Sequence, residues 1–299
     1  MREFVRILNN LNIQFEVDFS LSSASSFRVG GSADIAIFPK NESELVNAIV
    51  EAKNNNIRFE VIGNASNVLF SDVGYRGAII FTKNLCEITC VGNSIKAFCG
   101  VKLPVLSKLA YSNSISGLEF VHGIPGSVGG AVAMNAGAYG GVISDVLEFS
   151  RAYDINTGKI YTLTKNEHLF DYRKSIYTEN KNLICIYAIF TLNKGNATDI
   201  NKKMQDNLQS RKDKQPIDLP SCGSFFKRPE GYFAAKLIDD CNLKGVSVGG
   251  AMVSPKHAGF IVNTGGATCA DIVKLAELVE NAVYDKFGIK LEREVKYLI

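Results

Sequence analysis

The stretch Gly123-Ile124-Pro125-Gly126-Ser127-Val128-Gly129-Gly130-Ala131-Val132-Ala133-Met134-Asn135-Ala136-Gly137 decides the fold. Its glycines at 123, 126, 129 and 130, with small residues between them, are too many for one tight turn. Glycine lets the backbone approach a ligand closely, and successive N–H groups can form a nest around an anion. A shorter loop, Gly63-Asn64-Ala65-Ser66-Asn67, lies between two apolar runs, 58–62 and 68–70. Alone it reads as a turn. Together, two such loops separated by a strand-rich segment can grip a diphosphate from both sides. Neither is a Walker A sequence, and no GxGxxG opens a helix after the first strand, so ordinary Rossmann binding lacks its fingerprint.

Outward from these loops, periodicity predicts helices over 4–11 and 104–111, and over 41–52 behind the pair Asn41 and Glu44, which is spaced like a capping box. It also predicts helices over 199–212, 232–241 and 270–287. Strands are expected at 34–39, 58–62, 68–70, 78–82, 94–99, 146–153, 160–163, 183–192, 259–263 and 290–298. Helices and strands alternate irregularly, which indicates α+β rather than a doubly wound sheet. Two prolines in 215–220 read as a linker ahead of a C-terminal domain.

The 299 residues carry 33 Lys+Arg against 30 Asp+Glu, too small an excess for a general nucleic-acid binder. All of that excess lies beyond residue 200, densest between Lys202 and Arg228. A solvated helix face explains this most cheaply, and a site for a small anion is the sharper alternative that needs a motif to support it. Charges interrupt every apolar run in 1–19, and the longest uncharged stretch, 123–144, is too rich in glycine to span a membrane. Seven cysteines without CxxC favour free thiols in a reducing cytoplasm. The three histidines lack metal-site spacing, so no metal is expected.

The chain resembles the bacterial UDP-N-acetylenolpyruvoylglucosamine reductases. Seven segments in family order carry the resemblance: SSFRVGGSAD (25–34), VIGNASNVLFSD (61–72), GLEFVHGIPGSVGGAVAMNAGAYGG (117–141), FDYRKSIY (170–177), SCGSFFKRP (221–229), AAKLIDDCNLKGVSVGGAMVSPKHAGFIVN (234–263) and LEREV (291–295). The resemblance implies an FAD-binding fold of the vanillyl-alcohol oxidase type. Two α+β subdomains, 1–75 and 76–214, would hold FAD, and an α+β substrate-binding domain, 215–299, would send its last strand back towards the active site. The short interval between Arg173 and Ser224 corresponds to the family's shorter form.

By the same resemblance, FAD is held non-covalently by Gly63, Asn64, Ala65, Ser66 and Asn67 and by Gly123, Ile124, Pro125, Gly126, Ser127, Gly129, Gly130 and Ala131. NADPH is the hydride donor and UDP-N-acetylglucosamine enolpyruvate the substrate, with a place in peptidoglycan precursor synthesis. Hydride addition to an α,β-unsaturated carboxylate pushes charge into the carboxylate and leaves a carbon that needs a proton. The family positions assign carboxylate binding to Arg173, proton donation to Ser224 and support of the developing enediolate to a protonated Glu294. Tyr172 would line the site and Lys227 would meet the diphosphate. The glycine before Ser224 and the two phenylalanines after it suggest a fixed, sheltered hydroxyl. Alternation puts Leu291, Val295 and Tyr297 on one strand face and Glu292, Glu294 and Lys296 on the other.

Two other readings compete. One is a different FAD-dependent sugar or alcohol oxidoreductase of this fold, with His122 as a covalent flavin anchor; the other is a nucleotide-binding regulator without catalysis. The joint presence of Arg173, Ser224 and Glu294 weighs against the regulator. Denatured, unreduced protein handled anaerobically should titrate as seven thiols, and a consistent shortfall of two would overturn the free-thiol reading.

Overall fold

The computed structural model describes all residues, Met1–Ile299. Helix and strand are mixed in an α+β arrangement, and no helix is long and apolar enough to cross a membrane. The chain forms two compact units that interleave along the sequence: Met1–Val17, Ile35–Asn64 and Gly77–Gln209 make the first, and Asp18–Asp34, Ala65–Arg76 and Ser210–Ile299 the second. The three divisions expected from the sequence are each contiguous; these units are not. The reason lies in the apolar residues. Phe27, Val29 and Leu69 are buried with Phe225, Phe226, Ile272 and Val279, far away in sequence.

The first unit is built on a five-stranded antiparallel sheet. Its order is Ile160–Thr164, Leu147–Asp154, Leu183–Thr191, Ser94–Phe98 and Ile88–Val91. A further sheet orders Phe15–Ser20, Ser32–Ile37, Tyr75–Phe81 and Phe59–Ile62, the last two parallel. Helix Glu42–Asn54 starts as its sequence predicts: Asn41 Oδ1 accepts from Glu44 N at 2.9 Å, and the Glu44 carboxylate takes Lys40 N in return. Its apolar face, Leu45, Ala48, Ile49 and Ala52, is buried with Ile35, Ile37 and Ile80.

In the second unit the strand Val68–Phe70 pairs in parallel with Lys296–Leu298. A small antiparallel sheet joins Ser247–Val248, Ala251–Val253 and Ile261–Asn263. The strand expected over 290–298 is therefore much shorter, and upstream of it Arg293 makes only an isolated bridge to Phe226. Alternation fails with it: Leu291, Val295 and Leu298 are buried while Tyr297 is exposed, because the segment changes partner from Phe226 to strand Val68–Phe70 partway along.

All seven cysteines are free thiols, and burial pushes Cys99 and Cys222 up to about 12, leaving both protonated and unreactive at neutral pH.

Helix Cys269–Phe287 carries the largest share of the second unit's core, through Ile272, Leu275, Val279 and Val283. Thr268 caps it through Asp271 N, and Gly288 at φ 69° ends it in the left-handed conformation. A second acceptor comes from outside the helix: Asp72 takes Cys269 N at 2.7 Å and Ala270 N at 3.0 Å. A carboxylate there satisfies two first-turn donors and complements the helix dipole. Asp72→Ala should lower the unfolding free energy by about 1 kcal/mol, read as a shift in the urea midpoint; an unchanged midpoint would show that the cap contributes nothing.

Candidate active site

The longer glycine loop follows a single 3-10 turn, Glu119–Val121, and opens the short helix Val128–Ala133. It is pinned from behind: Leu103 N donates to Gly126 O, Val128 N to Val101 O and Gly129 N to Cys99 O, at 2.8–3.0 Å. Glycine is required for this. A Cβ on residue 129 would sit 2.7 Å from Cys99 Cβ, and one on residue 63 would fall on Ser127 Oγ. Within the first unit the two loops therefore touch, with Asn64 Nδ2 donating to Pro125 O.

Ser127 Oγ is buried and has no hydrogen-bond partner in the protein. Leaving a hydroxyl so costs about 1–3 kcal/mol. It stands among residues with no side chains, Gly63 and Gly130, where a ligand oxygen can approach. This cradle fits the diphosphate of a dinucleotide such as FAD. His122, one residue ahead of the loop, is also buried with Nδ1 unpartnered; burial first, and the Lys108 charge second, lower its pKa and keep the imidazole neutral.

Arg173 belongs to the same unit. It lies in a turn closed by two bonds between Asp171 and Lys174, with φ 55°, a left-handed conformation that an arginine adopts only under constraint. The constraint comes from the glycine helix. Ser175 Oγ donates to Ala133 O at 2.7 Å, and Asn135 Nδ2 to Asp171 O at 3.1 Å. The guanidinium lies 5.2 Å from the centroid of the Tyr172 ring, and Tyr172 is 49% exposed, so it is a surface residue beside Arg173 rather than core packing.

Ser224 and Glu294 belong to the second unit. Phe225 and Phe226 are buried, with Phe225 edge-on to Phe27, and this anchors the segment. Phe225 N donates to Gly259 O, Glu294 N to Phe225 O and Lys227 N to Glu292 O, all at 2.8 Å. These bonds run the Ser224 and Glu294 segments side by side. Arg293 forms a two-pronged ion pair with Glu280 at 2.6 and 2.9 Å, which steadies the segment next to Glu294. Ser224 is fixed but not sheltered: it is exposed, because its flanking phenylalanines turn into the core and away from it. Lys227 pairs closely with the exposed carboxylate of Glu292, with which a diphosphate would have to compete.

Asn67, expected in the shorter flavin loop, also makes a tie that the sequence does not foretell. Asn67 Nδ2 donates to Glu294 O at 3.0 Å, and Asn67 O accepts from Lys296 N at 3.0 Å. The end of the shorter loop thus clamps the glutamate strand. Nothing local in the sequence signals a bond across 227 positions. These attachments lie within each unit separately. In the first, Gly63, Asn64 and the longer loop are tied to Arg173; in the second, Asn67 is tied to Glu294 and, through it, to the Ser224 segment.

Comparison with known proteins identifies the family. Residues 33–164 match the FAD binding domain family, and 215–298 match the family described as UDP-N-acetylenolpyruvoylglucosamine reductase, C-terminal domain. The reductase of Clostridium novyi is 46% identical over 276 residues, covering 92% of this chain and 89% of that protein. The reductase of Caldicellulosiruptor bescii is 43% identical over 298 residues, covering 99% and 94%. Among solved structures, the UDP-N-acetylenolpyruvylglucosamine reductase of Thermus caldophilus superposes with a TM-score of 0.81 at 30% identity, over 96% of this chain and 99% of that one. An alkyldihydroxyacetonephosphate synthase, at 18% identity and a TM-score of 0.51 over 65% of this chain and 44% of that one, shares the fold alone. The chain is an FAD oxidoreductase and belongs to the UDP-N-acetylenolpyruvoylglucosamine reductase family.

Proposed function

We propose that the protein reduces UDP-N-acetylglucosamine enolpyruvate to UDP-N-acetylmuramate with NADPH, in the cytoplasm, as a step of peptidoglycan precursor synthesis. The observation that carries the residue assignments is the hydrogen-bonded attachment of each candidate to a flavin-loop segment: Arg173 through Ala133 and Asn135, Glu294 through Asn67. Gly63–Asn67 and the 123–131 loop would hold FAD, with the unpartnered Ser127 hydroxyl available to a phosphate oxygen. When bound, FAD takes hydride from NADPH and supplies it to the terminal vinyl carbon of the substrate.

The remaining work falls to side chains. Arg173 holds the substrate carboxylate with a planar fork that offers two parallel N–H donors, an arrangement lysine cannot reproduce. Glu294, acting protonated, donates to the same carboxylate as charge develops there. Ser224 delivers its proton to the carbon adjacent to the one that receives hydride; its backbone is set by Phe225 N–H on Gly259 O and Phe225 O on Glu294 N–H. Its exposure leaves the hydroxyl open to substrate and, after transfer, to solvent for reprotonation. Lys227, by exchanging Glu292 for a phosphate oxygen, would bind the diphosphate.

The two half-reactions separate these roles. Ser224→Ala should bind FAD and bleach with NADPH at a near-normal rate, then reoxidise at least ~10²-fold more slowly when the sugar nucleotide is added. Equal slowing of both halves would place the defect in folding or flavin seating and remove Ser224 as the donor. Because His122 Nδ1 has no partner, the linkage of the flavin is a separate question. Acid precipitation should release all the flavin into the supernatant as FAD; yellow colour retained by the pellet would favour a covalent bond at His122.

A further inference from the structure

The first unit contains a buried polar chain that the reaction above does not use. Ser150 lies on strand Leu147–Asp154, an inner strand paired on both sides, opposite Leu163 and Ala188. Its hydroxyl meets His168 Nε2 at 2.8 Å and Tyr177 OH at 2.6 Å, and both Ser150 and His168 are fully buried. His168 and Tyr177 flank the loop 169–176, which carries Tyr172 and Arg173. The two ends of that loop are thus fastened to a single oxygen on a rigid strand.

Chemistry fixes the direction of the chain. His168 Nδ1 lies 2.7 Å from Thr164 O, which only accepts, so Nδ1 carries the proton. In the neutral ring Nε2 is then the acceptor, Ser150 donates to it, and the Ser150 oxygen accepts from Tyr177 OH. The imidazole is stacked on Phe170, inside the loop, with rings 4.8 Å apart and 8° from parallel. The groups facing it are Thr164 and Ser150 from the strands, Tyr177 from helix Ile176–Glu179 with the Cys185 thiol behind it, and the carboxylate of Glu167 on its own turn. Burial, the largest influence, lowers the His168 pKa against the opposing pull of Thr164 O and Glu167.

We propose that Ser150 and His168 are positioning residues for Arg173, holding the base of its loop closed through the Tyr177–Ser150–His168 chain. The proposal rests on the assignment of Arg173 to the substrate carboxylate. Arg173 sits at positive φ with its guanidinium 5.2 Å from the ring of the exposed Tyr172, so its direction follows the loop that carries it. The turn bonds to Ala133 and Asn135 fix its middle, and the Ser150 chain fixes its ends. Protonation of His168 would turn Nε2 into a donor and strand the Ser150 proton. The chain is therefore complete above the ordinary imidazole pKa of about 6.5 and is lost as pH falls towards the lowered value in the folded protein.

The test is made on the flavin-loaded, full-length enzyme. Ser150→Ala should keep its FAD content and its rate of bleaching by NADPH, while the KM for the sugar nucleotide rises, or reoxidation slows, by about 10- to 100-fold, the scale of an ångström's misplacement of a binding group. Tyr177→Phe should move the same readouts in the same direction, and the double variant should be no worse than the poorer single, because all three break one chain. If Ser150→Ala fails to fold, Tyr177→Phe, which removes only an oxygen, carries the test. Nitrogen NMR of the wild type should find His168 protonated at Nδ1 alone at pH 7.5, with the Nε2 signal shifted in Ser150→Ala. Arg173→Ala, run alongside, separates the two ideas. If it slows reoxidation while Ser150→Ala and Tyr177→Phe do not, the positioning role is overturned and the Arg173 assignment stands; if Arg173→Ala itself has no effect, both fall.

Discussion

A Cβ on residue 63 would come within 2.2 Å of Ser127 Oγ and force that hydroxyl to swing away. Glycine there lets the shorter loop lie against the longer one with the Ser127 hydroxyl in place, and much of the first unit's site builds on that contact. Ser127 begins the helix Val128–Ala133, whose backbone is locked behind by Cys99 and Val101. Where the helix ends, the carbonyl of Ala133 and the amide of Asn135 take hold of the Asp171–Ser175 turn. A contact between the two glycine loops is thereby linked through one short helix to the turn that carries Arg173.

The second unit solves a similar problem with backbone bonds. Glu294 is held through its backbone, by its own N–H to Phe225 O and by its own carbonyl from Asn67. A side chain whose protonation state matters is best located in this way, since bonds that fix its backbone do not choose between its charged and neutral forms. Ser224 gains its position likewise, from the residue after it. Core packing by Phe225 and Phe226 supplies the rigidity.

Much of this was legible in the sequence wherever the deciding interaction is local. Asn41 and Glu44 cap their helix because the partners are three residues apart, and the glycines at 63 and 129 announce close approach because a Cβ at either would crowd a neighbour. Family resemblance supplied the roles of Arg173, Ser224 and Glu294, which spacing alone would not. What stayed hidden depends on contacts across long separations. Asp72 capping a helix at 269, Asn67 clamping 294 and Ser150 joining 168 to 177 have no local periodicity to betray them. The change of partner that cuts short the last strand is of the same kind, and so is the burial of Phe27 with Phe225, which makes the units interleave. Ser224 was read as sheltered because apolar neighbours usually signal burial; here they are buried and it is not.

The site carries several unfavourable features at once. Ser127 Oγ and His122 Nδ1 are buried without protein partners, and Arg173 sits at positive φ. Each costs on the order of 1–3 kcal/mol, together a sizeable share of a typical folding free energy of about 5–15 kcal/mol. Such costs persist only where the surroundings over-determine the geometry, as the pinned glycine loop and the stapled arginine turn do. A ligand oxygen that bonds to Ser127 recovers the cost already incurred by burying that hydroxyl, so binding at this point gains more than an equivalent bond at an exposed serine. The strain at Arg173 has a different origin: it is held by the bonds that tie its turn to Ala133 and Asn135. The cradle is therefore stabilised by what it binds, whereas the arginine depends throughout on the rigidity of the sheet and helix beneath it.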